Sequence, residues 1–154
     1  MQDTGCRIQV REARLSDEAA IADLLRQLAE MTEGGSFSPA WVEANLAPML
    51  EDDDYVLLVA EVQGQVVGLL TLHLRRTLFH PTPVALVDEL VVDRACRNQG
   101  VGRRLVEEAI WVAHARSACE LEVSTERSNQ AAQAFYRRLG FGHEAVLMEL
   151  EFDA

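Results

Sequence analysis

The sequence predicts an α/β protein of the α+β type: a mixed, mostly antiparallel central sheet flanked by helices. Three observations carry this. Apolar, β-branched runs of strand length recur along the chain, and two of them, 55–62 and 66–74, are separated only by Gln63-Gly64-Gln65, as in a hairpin. Between other strands lie segments with helical apolar spacing. The antiparallel pair comes early and a strand-helix-strand unit comes late, so one sheet must hold both senses of pairing. The 154 residues, 49% of them hydrophobic, fit a single domain over 1–154 with a real core.

Taken in order, Ile8-Gln9-Val10-Arg11 alternates and reads as the first strand. Ser16 then offers an N-cap, with Asp17 and Glu18 in the first turn. Ile21, Leu24, Leu25 and Leu28 come next at i, i+3, i+4, i+7, an amphipathic helix that Gly34-Gly35-Ser36 breaks. A second helix starts near Pro39, and Pro48 is expected to end or kink it. The acidic run Glu51 to Asp54 reads as a solvated turn before the hairpin. Arg75 to Pro83 is a loop, and Val84 to Asp93 a strand broken in polarity only by Asp88, Glu89 and Asp93. Val101, Leu105, Ala109 and Val112 share a helix face up to about Arg116. Glu120 to Thr125 is a strand, Asn129 to Leu139 a helix stopped by Gly140, and Ala145 to Phe152 an alternating last strand.

Bulk charge narrows the function. With 14 basic and 25 acidic residues the net charge is −11, which argues against a nucleic-acid binder and either suits a cationic substrate or serves solubility alone. The start, Met1 to Arg7, has no apolar run of signal length, and no stretch approaches a membrane span. Cys6, Cys96 and Cys119 are odd in number and widely spaced, fitting neither a disulfide framework nor a zinc site. A reducing cytoplasm is the simplest compartment. His73, His80, His114 and His143 have no metal-ligand spacing, so no metal is expected. His80 reads as part of a surface loop, Cys96 as a small filler, and Met31 and Trp41 as core.

The informative segment is Leu90 to Leu105, where an apolar strand ends and a helix starts on R-x-x-G-x-G, Arg97-Asn98-Gln99-Gly100-Val101-Gly102. Free N–H groups and the dipole at a helix start favour an anion, and glycines let backbone approach phosphate oxygens. Arg97, Arg103 and Arg104 reverse the sign of an otherwise acidic chain. The spacing is not that of a Walker A loop, which needs a Lys and a Ser/Thr, nor of a dinucleotide fingerprint in an opening βαβ unit. Taken alone, the turn is either a phosphate site or ordinary turn chemistry.

R-x-x-G-x-G after a strand ending in Val-Asp resembles the cofactor motif of the GNAT superfamily of N-acetyltransferases. Asn129-Gln130-Ala131-Ala132-Gln133-Ala134-Phe135-Tyr136-Arg137-Arg138-Leu139-Gly140-Phe141 resembles that family's N-x-x-A-x-x-x-Y-x-x-x-G-F segment, and Ile8 to Leu28 its first strand and helix. Asn98 stands where the family often has Gly, and Asn tolerates left-handed backbone. The resemblance implies a GNAT-like acyl-CoA N-acyltransferase fold with acetyl-CoA as acetyl donor. It places the backbone of Leu90, Val91 and Val92 on the pantetheine arm, with one N–H on the acetyl oxygen. Arg97, Asn98, Gln99, Gly100, Val101, Gly102 and Arg103 would hold the pyrophosphate, Asn129 would contact the cofactor, and Tyr136 would protonate the leaving thiolate. Asn129 and Tyr136 lie seven apart, about 20° around a helix.

The resemblance implies a primary amine as acceptor, of a small cationic molecule or a peptide. A lysine-like amine near neutral pH is about three units from its free-base form, roughly 4 kcal/mol, so a base is expected. Glu122 is the first candidate, on a strand position where some relatives carry a glutamate; Asp88 and Glu89 compete with it. A homodimer is a further expectation from the resemblance. The alternative function is an acetyl-CoA-binding regulatory or interaction domain without turnover.

Overall fold

The computed structural model describes residues 7–152, so Cys6 and the residues before it lie outside the description. β1 (Ile8–Glu12) leads through a short 3-10 turn, Leu15–Asp17, into α1 (Glu18–Met31). Ser16 lies inside that turn, and the N-cap position belongs to Asp17 instead. The acid is held there by stronger partners than a serine hydroxyl could recruit. Asp17 accepts from the Arg11 guanidinium at 2.8 and 2.9 Å and from Arg14 N–H at 2.8 Å, which holds its carboxyl below the usual range.

α2 (Pro39–Glu51) is capped by Ser38, whose hydroxyl accepts from Trp41 N–H at 3.3 Å. Pro48 does not end it: the helix runs on to Glu51. Only the one bond to Ala44 is forfeited so near the end, and Met49 and Leu50 pack against the core, which outweighs it.

β2 (Tyr55–Val62) and β3 (Gln65–Arg75) form the hairpin, with a two-residue turn in which Gln63 and Gly64 both have positive φ, 51° and 79°. β4 (Val84–Val92), α3 (Val101–Ala115), β5 (Glu120–Val123) and α4 (Gln130–Arg138) complete the elements. The sheet runs β1-β2-β3-β4-β5; the first three pairings are antiparallel and β4–β5 is parallel. The mixed, mostly antiparallel sheet flanked by helices is the architecture the periodicity predicts.

Ala145 to Phe152 is not a strand. Its alternation is present in sequence, but no strand among the described residues pairs with it, and without a ladder period 2 alone fixes no conformation.

Strand parity builds two cores. Leu58, Ala60, Leu70 and Leu72 face Val101, Leu105, Val106 and Ala109 of α3. Leu57, Val59, Leu69 and Val91 face Ile21 and Leu24 of α1 and Val42 and Leu46 of α2. Each buried Leu, Ile or Val among these contributes about 1.5–3 kcal/mol. Gly68, paired with Val92, brings α3 close. A Cβ there would lie 2.9 Å from Leu105 Cδ1 and 3.0 Å from Val101 Cγ1, so the first turn of α3 seats against the end of β4.

Among the described residues no helix is long and apolar enough to cross a membrane, and no group of three or more His, Cys, Asp or Glu is placed to hold a metal.

Candidate active site

β4 and β5 part company midway. Their parallel pairing covers Val84–Glu120 to Val87–Val123 and stops there, leaving Asp88 to Val92 paired on the β3 side alone. At the same point the β3–β4 register shifts: Thr71 faces Glu89 while Leu72 faces Val87, so Asp88 is the extra residue of a bulge. The bulge flips the strand's alternation. Ala85 and Val87 face α3 before it, Leu90 and Val92 after it.

The bulge also sets hydrogen-bond direction. Glu89 N–H donates to Thr71 Oγ1 at 3.1 Å and Asp93 N–H to Val67 O at 2.8 Å, both toward β3. These directions repeat every second residue, so the N–H groups of Leu90 and Val92 point into the gap left by β5. Val92 C=O points there too and accepts from Arg97 Nε at 3.2 Å.

Beyond β4, Asp93 caps a short 3-10 turn, accepting from Ala95 N–H at 2.9 Å. Asn98 takes φ 59° and Gly100 φ 85°, two left-handed positions that turn the chain into α3. Asn and Gly are the residues that bear such backbone at least cost. The first helical bond runs from Arg104 N–H to Gly100 O, 3.1 Å, so Val101, Gly102 and Arg103 present their N–H groups ahead of it without helical acceptors. A Cβ on Gly102 would sit 3.6 Å from Val92 Cγ2 and 3.7 Å from Phe135 Cζ, in the mouth of the cleft between β4 and α4.

That cleft is about 620 Å³. Of the residues expected from sequence, Leu90, Val91, Val92, Arg97, Asn98, Gly100, Val101, Gly102 and Arg103 line it. Gln99 does not; its amide donates to Ala95 O at 3.2 Å, within the loop. Asn129 and Tyr136 do not either. The Asn129 side chain caps α4, accepting from Ala132 N–H at 3.0 Å, and Tyr136 lies beneath, its ring edge-on to Phe135 and Phe141 at 5.1 and 5.4 Å. Arg103 is tied by Glu107 at 2.8 Å.

Sequence reasoning missed several wall residues. Met31, read as core, is 53% exposed and lines the cleft, and Trp41 is 69% exposed on α2. Helical spacing gives a stripe, but Met31 ends α1 and Trp41 lies in its helix's first turn, where no further layer covers them. Cys96, Phe135, Arg138 and Leu139 also line the cleft. The basic end of α4 was the available signal for Arg138. Gln27 was missed outright. It is buried, donates to Asp93 Oδ2 at 2.9 Å and accepts from Arg94 N–H at 3.0 Å, bracing the loop that carries the glycine turn.

The titratable candidates separate by environment. Glu89 is half-buried: desolvation, then the Asp88 charge, pushes its carboxyl up to about 7, and the Thr71 hydroxyl is hydrogen-bonded to it. Burial also raises Asp88, less the effect of His73, which stacks on Tyr55 at 4.5 Å. Glu122 is bound to Arg75 at 2.6 Å. Burial raises the Tyr136 phenol, keeping it protonated at neutral pH. His80 sits in the 76–83 loop with Thr77 at 3.1 Å and Glu120 at 3.7 Å.

The model of the acetyltransferase (GNAT) family matches residues 20–141. The uncharacterized N-acetyltransferase YhfO of Bacillus subtilis is 31% identical over 134 residues, 87% of this chain and 89% of that protein. A rice protein named "Probable glucosamine 6-phosphate N-acetyltransferase 2" is 28% identical over 156 aligned positions, 97% of this chain and 91% of its own. In three dimensions, glucosamine-6-phosphate N-acetyltransferase from Arabidopsis thaliana superposes with a TM-score of 0.80 at 20% identity, covering 96% of this chain and 99% of that one.

Proposed function

The chain belongs to the acetyltransferase (GNAT) family, and we propose that it transfers the acetyl group of acetyl-CoA directly to a primary amine in the gap between β4 and β5. It is an acetyl-CoA-dependent N-acetyltransferase; the acceptor, the donor's contacts and the proton carriers are our reading. The observation that carries it is the half-paired stretch Asp88 to Val92, whose free N–H groups open onto the same cleft as the N–H groups of Val101 to Arg103. The first set suits an amide-like arm and a carbonyl oxygen; the second suits a pyrophosphate. Arg97, Arg103 and Arg138 add charge of the right sign.

In this reading the amine nitrogen attacks the thioester carbon. Negative charge gathers on the acetyl oxygen opposite the N–H of Leu90 or Val92, and the C–S bond then breaks. Glu89 takes the amine proton, directly or through water, and Tyr136 gives its phenolic proton to the thiolate. Glu89 is preferred to Glu122 and Asp88: a carboxyl near 7 is matched to the task, whereas Glu122 is bound to Arg75 and Asp88 is more exposed. Tyr136 packs beside Phe135, which lines the cleft, and its role as acid rests on the match of its segment to the family's.

The acceptor is a small cationic amine or a peptide amine. Glu89 shares strand parity with Val91, and Glu122 alternates with Leu121 and Val123, so both lie on the α1/α2 face of the sheet, where they would attract a positive substrate. The test is an amine panel containing polyamines, aminoglycosides, peptide N-termini and glucosamine 6-phosphate, read as acetyl-CoA consumption and free CoA release. Turnover on at least one amine is expected. Binding of acetyl-CoA with no turnover on any amine would instead make this a binding domain, and protection from heat by ATP or NAD as strong as by acetyl-CoA would sink the assignment of the cleft.

A further inference from the structure

Gln27 is a polar side chain where the stripe of α1 calls for an apolar one. It shares the buried face with Ile21 and Leu24 and is 3% exposed. A buried amide costs stability unless its donors and its acceptor are met, and here all of them are. Nε2 donates to Asp93 Oδ2 at 2.9 Å and to Asp23 Oδ2 at 3.0 Å, and Oε1 accepts from Arg94 N–H at 3.0 Å. An apolar residue could fill the same space, but only an amide offers donor and acceptor together without a charge.

These partners sit at the root of the glycine turn. Asp93 accepts from Ala95 N–H at 2.9 Å with its other oxygen, and Cys96 N–H donates to Asp93 O at 2.8 Å. With Arg94 N–H on Gln27, each N–H of the 3-10 turn at 94–96 has an acceptor. The loop's other side-chain bonds are internal to it and to the strand it leaves: Arg97 Nε to Val92 O and Gln99 to Ala95 O, both at 3.2 Å. Two ties reach it from α1. Arg94–Glu30, at 2.6 Å, is an exposed ion pair of the kind that adds little. Gln27 is the buried one. One turn further along the same helix, Met31 lines the cleft, so the helix that braces the loop also walls the site.

We infer that Gln27 is a positioning residue for the donor: its amide fixes the 94–96 turn to α1 and thereby sets where the N–H groups of Val101 to Arg103 meet the pyrophosphate. This role rests on the donor cleft proposed above and adds to it a residue that touches no part of the donor. An anion site made of backbone has no side chain that can re-aim itself. Its N–H groups are only as well placed as the chain that carries them, and their bonds weaken steeply with misalignment.

The test is calorimetry of the full chain with acetyl-CoA, beside ligand-detected NMR with S-acetylpantetheine, which has the thioester arm but no phosphate. Gln27→Ala should raise the Kd for acetyl-CoA about 10–100-fold and that for S-acetylpantetheine by less than about twofold. Gln27→Glu keeps the shape and makes the brace switchable within one folded protein. The charged groups around it are Asp23, Arg26 and Glu30 on α1 and Asp93 and Arg94 on the loop. In the native chain Asp93 is held below the usual carboxylate range by Gln27 first, and Asp23 by Arg26 and then Gln27. A protonated carboxyl at position 27 donates to Asp93 and accepts from Arg94 N–H; once ionised, it faces both aspartates and repels them. The Kd of this variant for acetyl-CoA, divided by that of the native chain at the same pH, should be within about threefold at pH ~5 and about 10-fold or more at pH ~8. Unchanged acetyl-CoA affinity in Gln27→Ala, equal weakening of both ligands, or a ratio for Gln27→Glu that ignores pH would overturn the proposal and leave the donor cleft standing. A native chain that binds no acetyl-CoA would overturn the cleft itself, and this role with it.

Discussion

Glu89 is a carboxyl whose surroundings work against its charge, and that has two consequences of opposite sign. Its folded value, about 7, lies above the ordinary 4.5, so between these limits the folded chain holds a proton that the unfolded chain has lost. The contribution of Glu89 to stability is therefore full below pH 4.5, falls as pH rises through that window and stays lower above 7. Glu89→Gln removes the charge but keeps an acceptor for Thr71, and should raise stability at pH 8 by about 1–3 kcal/mol, with little change at about pH 4.5. The same change should cut kcat/KM by about 10²–10⁴-fold and abolish its rise with pH near 7. A variant that loses stability at pH 8, or that keeps its pH limb, removes Glu89 from the base's role. Tyr136→Phe tests the other proton: it should lower kcat about 100-fold while the Kd for acetyl-CoA, measured by calorimetry, stays within about twofold. Unchanged turnover would hand the acid's role to solvent.

Among the elements, the glycine turn was the most legible. Its residue types are demanded by backbone geometry, and geometry of that kind is local: Asn98 and Gly100 take the left-handed positions that a reading of R-x-x-G-x-G requires. Gly100→Asp imposes a side chain at φ 85° and puts a negative charge beside the free N–H groups. It should weaken acetyl-CoA binding by at least about 100-fold, the sum of a strained backbone and a like-charge contact; affinity surviving that change would show that the phosphates lie elsewhere. Helix and strand extents were legible too, because periodicities of 3.6 and 2 are properties of each segment alone. What was not legible depends on distant partners. Pro48 should stop a helix by its own chemistry, but Met49 and Leu50 are held by the core across from it. Ala145 to Phe152 has a strand's pattern, yet no strand among the described residues pairs with it. Gln27 lies on the α1 face shared by Ile21 and Leu24, where spacing says core, and only the fold brings Asp93, 66 residues on, within 2.9 Å of it.

On the scale of the whole molecule, charge is divided rather than uniform. The net −11 coexists with a cleft walled in part by Arg97, Arg103 and Arg138, proposed for the donor, while Glu89 and Glu122 lie by strand parity on the α1/α2 face of the sheet. A phosphorylated donor and a cationic acceptor would thus approach from sides of opposite sign, each steered by a field that the other side opposes. Salt should reveal this separation. With acetyl-CoA held saturating, so that the donor's own salt dependence is removed, raising salt from about 20 to about 200 mM shortens the Debye length from roughly 20 to 7 Å. The kcat/KM for a triamine should then fall about 3–10-fold, and that for a monoamine of similar size by less than about twofold, since steering scales with the charge steered. Binding contacts alone would lower both in proportion to the ion pairs they form, whereas steering acts on the encounter and leaves kcat at saturating amine unchanged. Equal slopes for the two amines, or a salt-dependent kcat, would mean that the acidic face serves the chain's own repulsion and solubility and takes no part in choosing the acceptor.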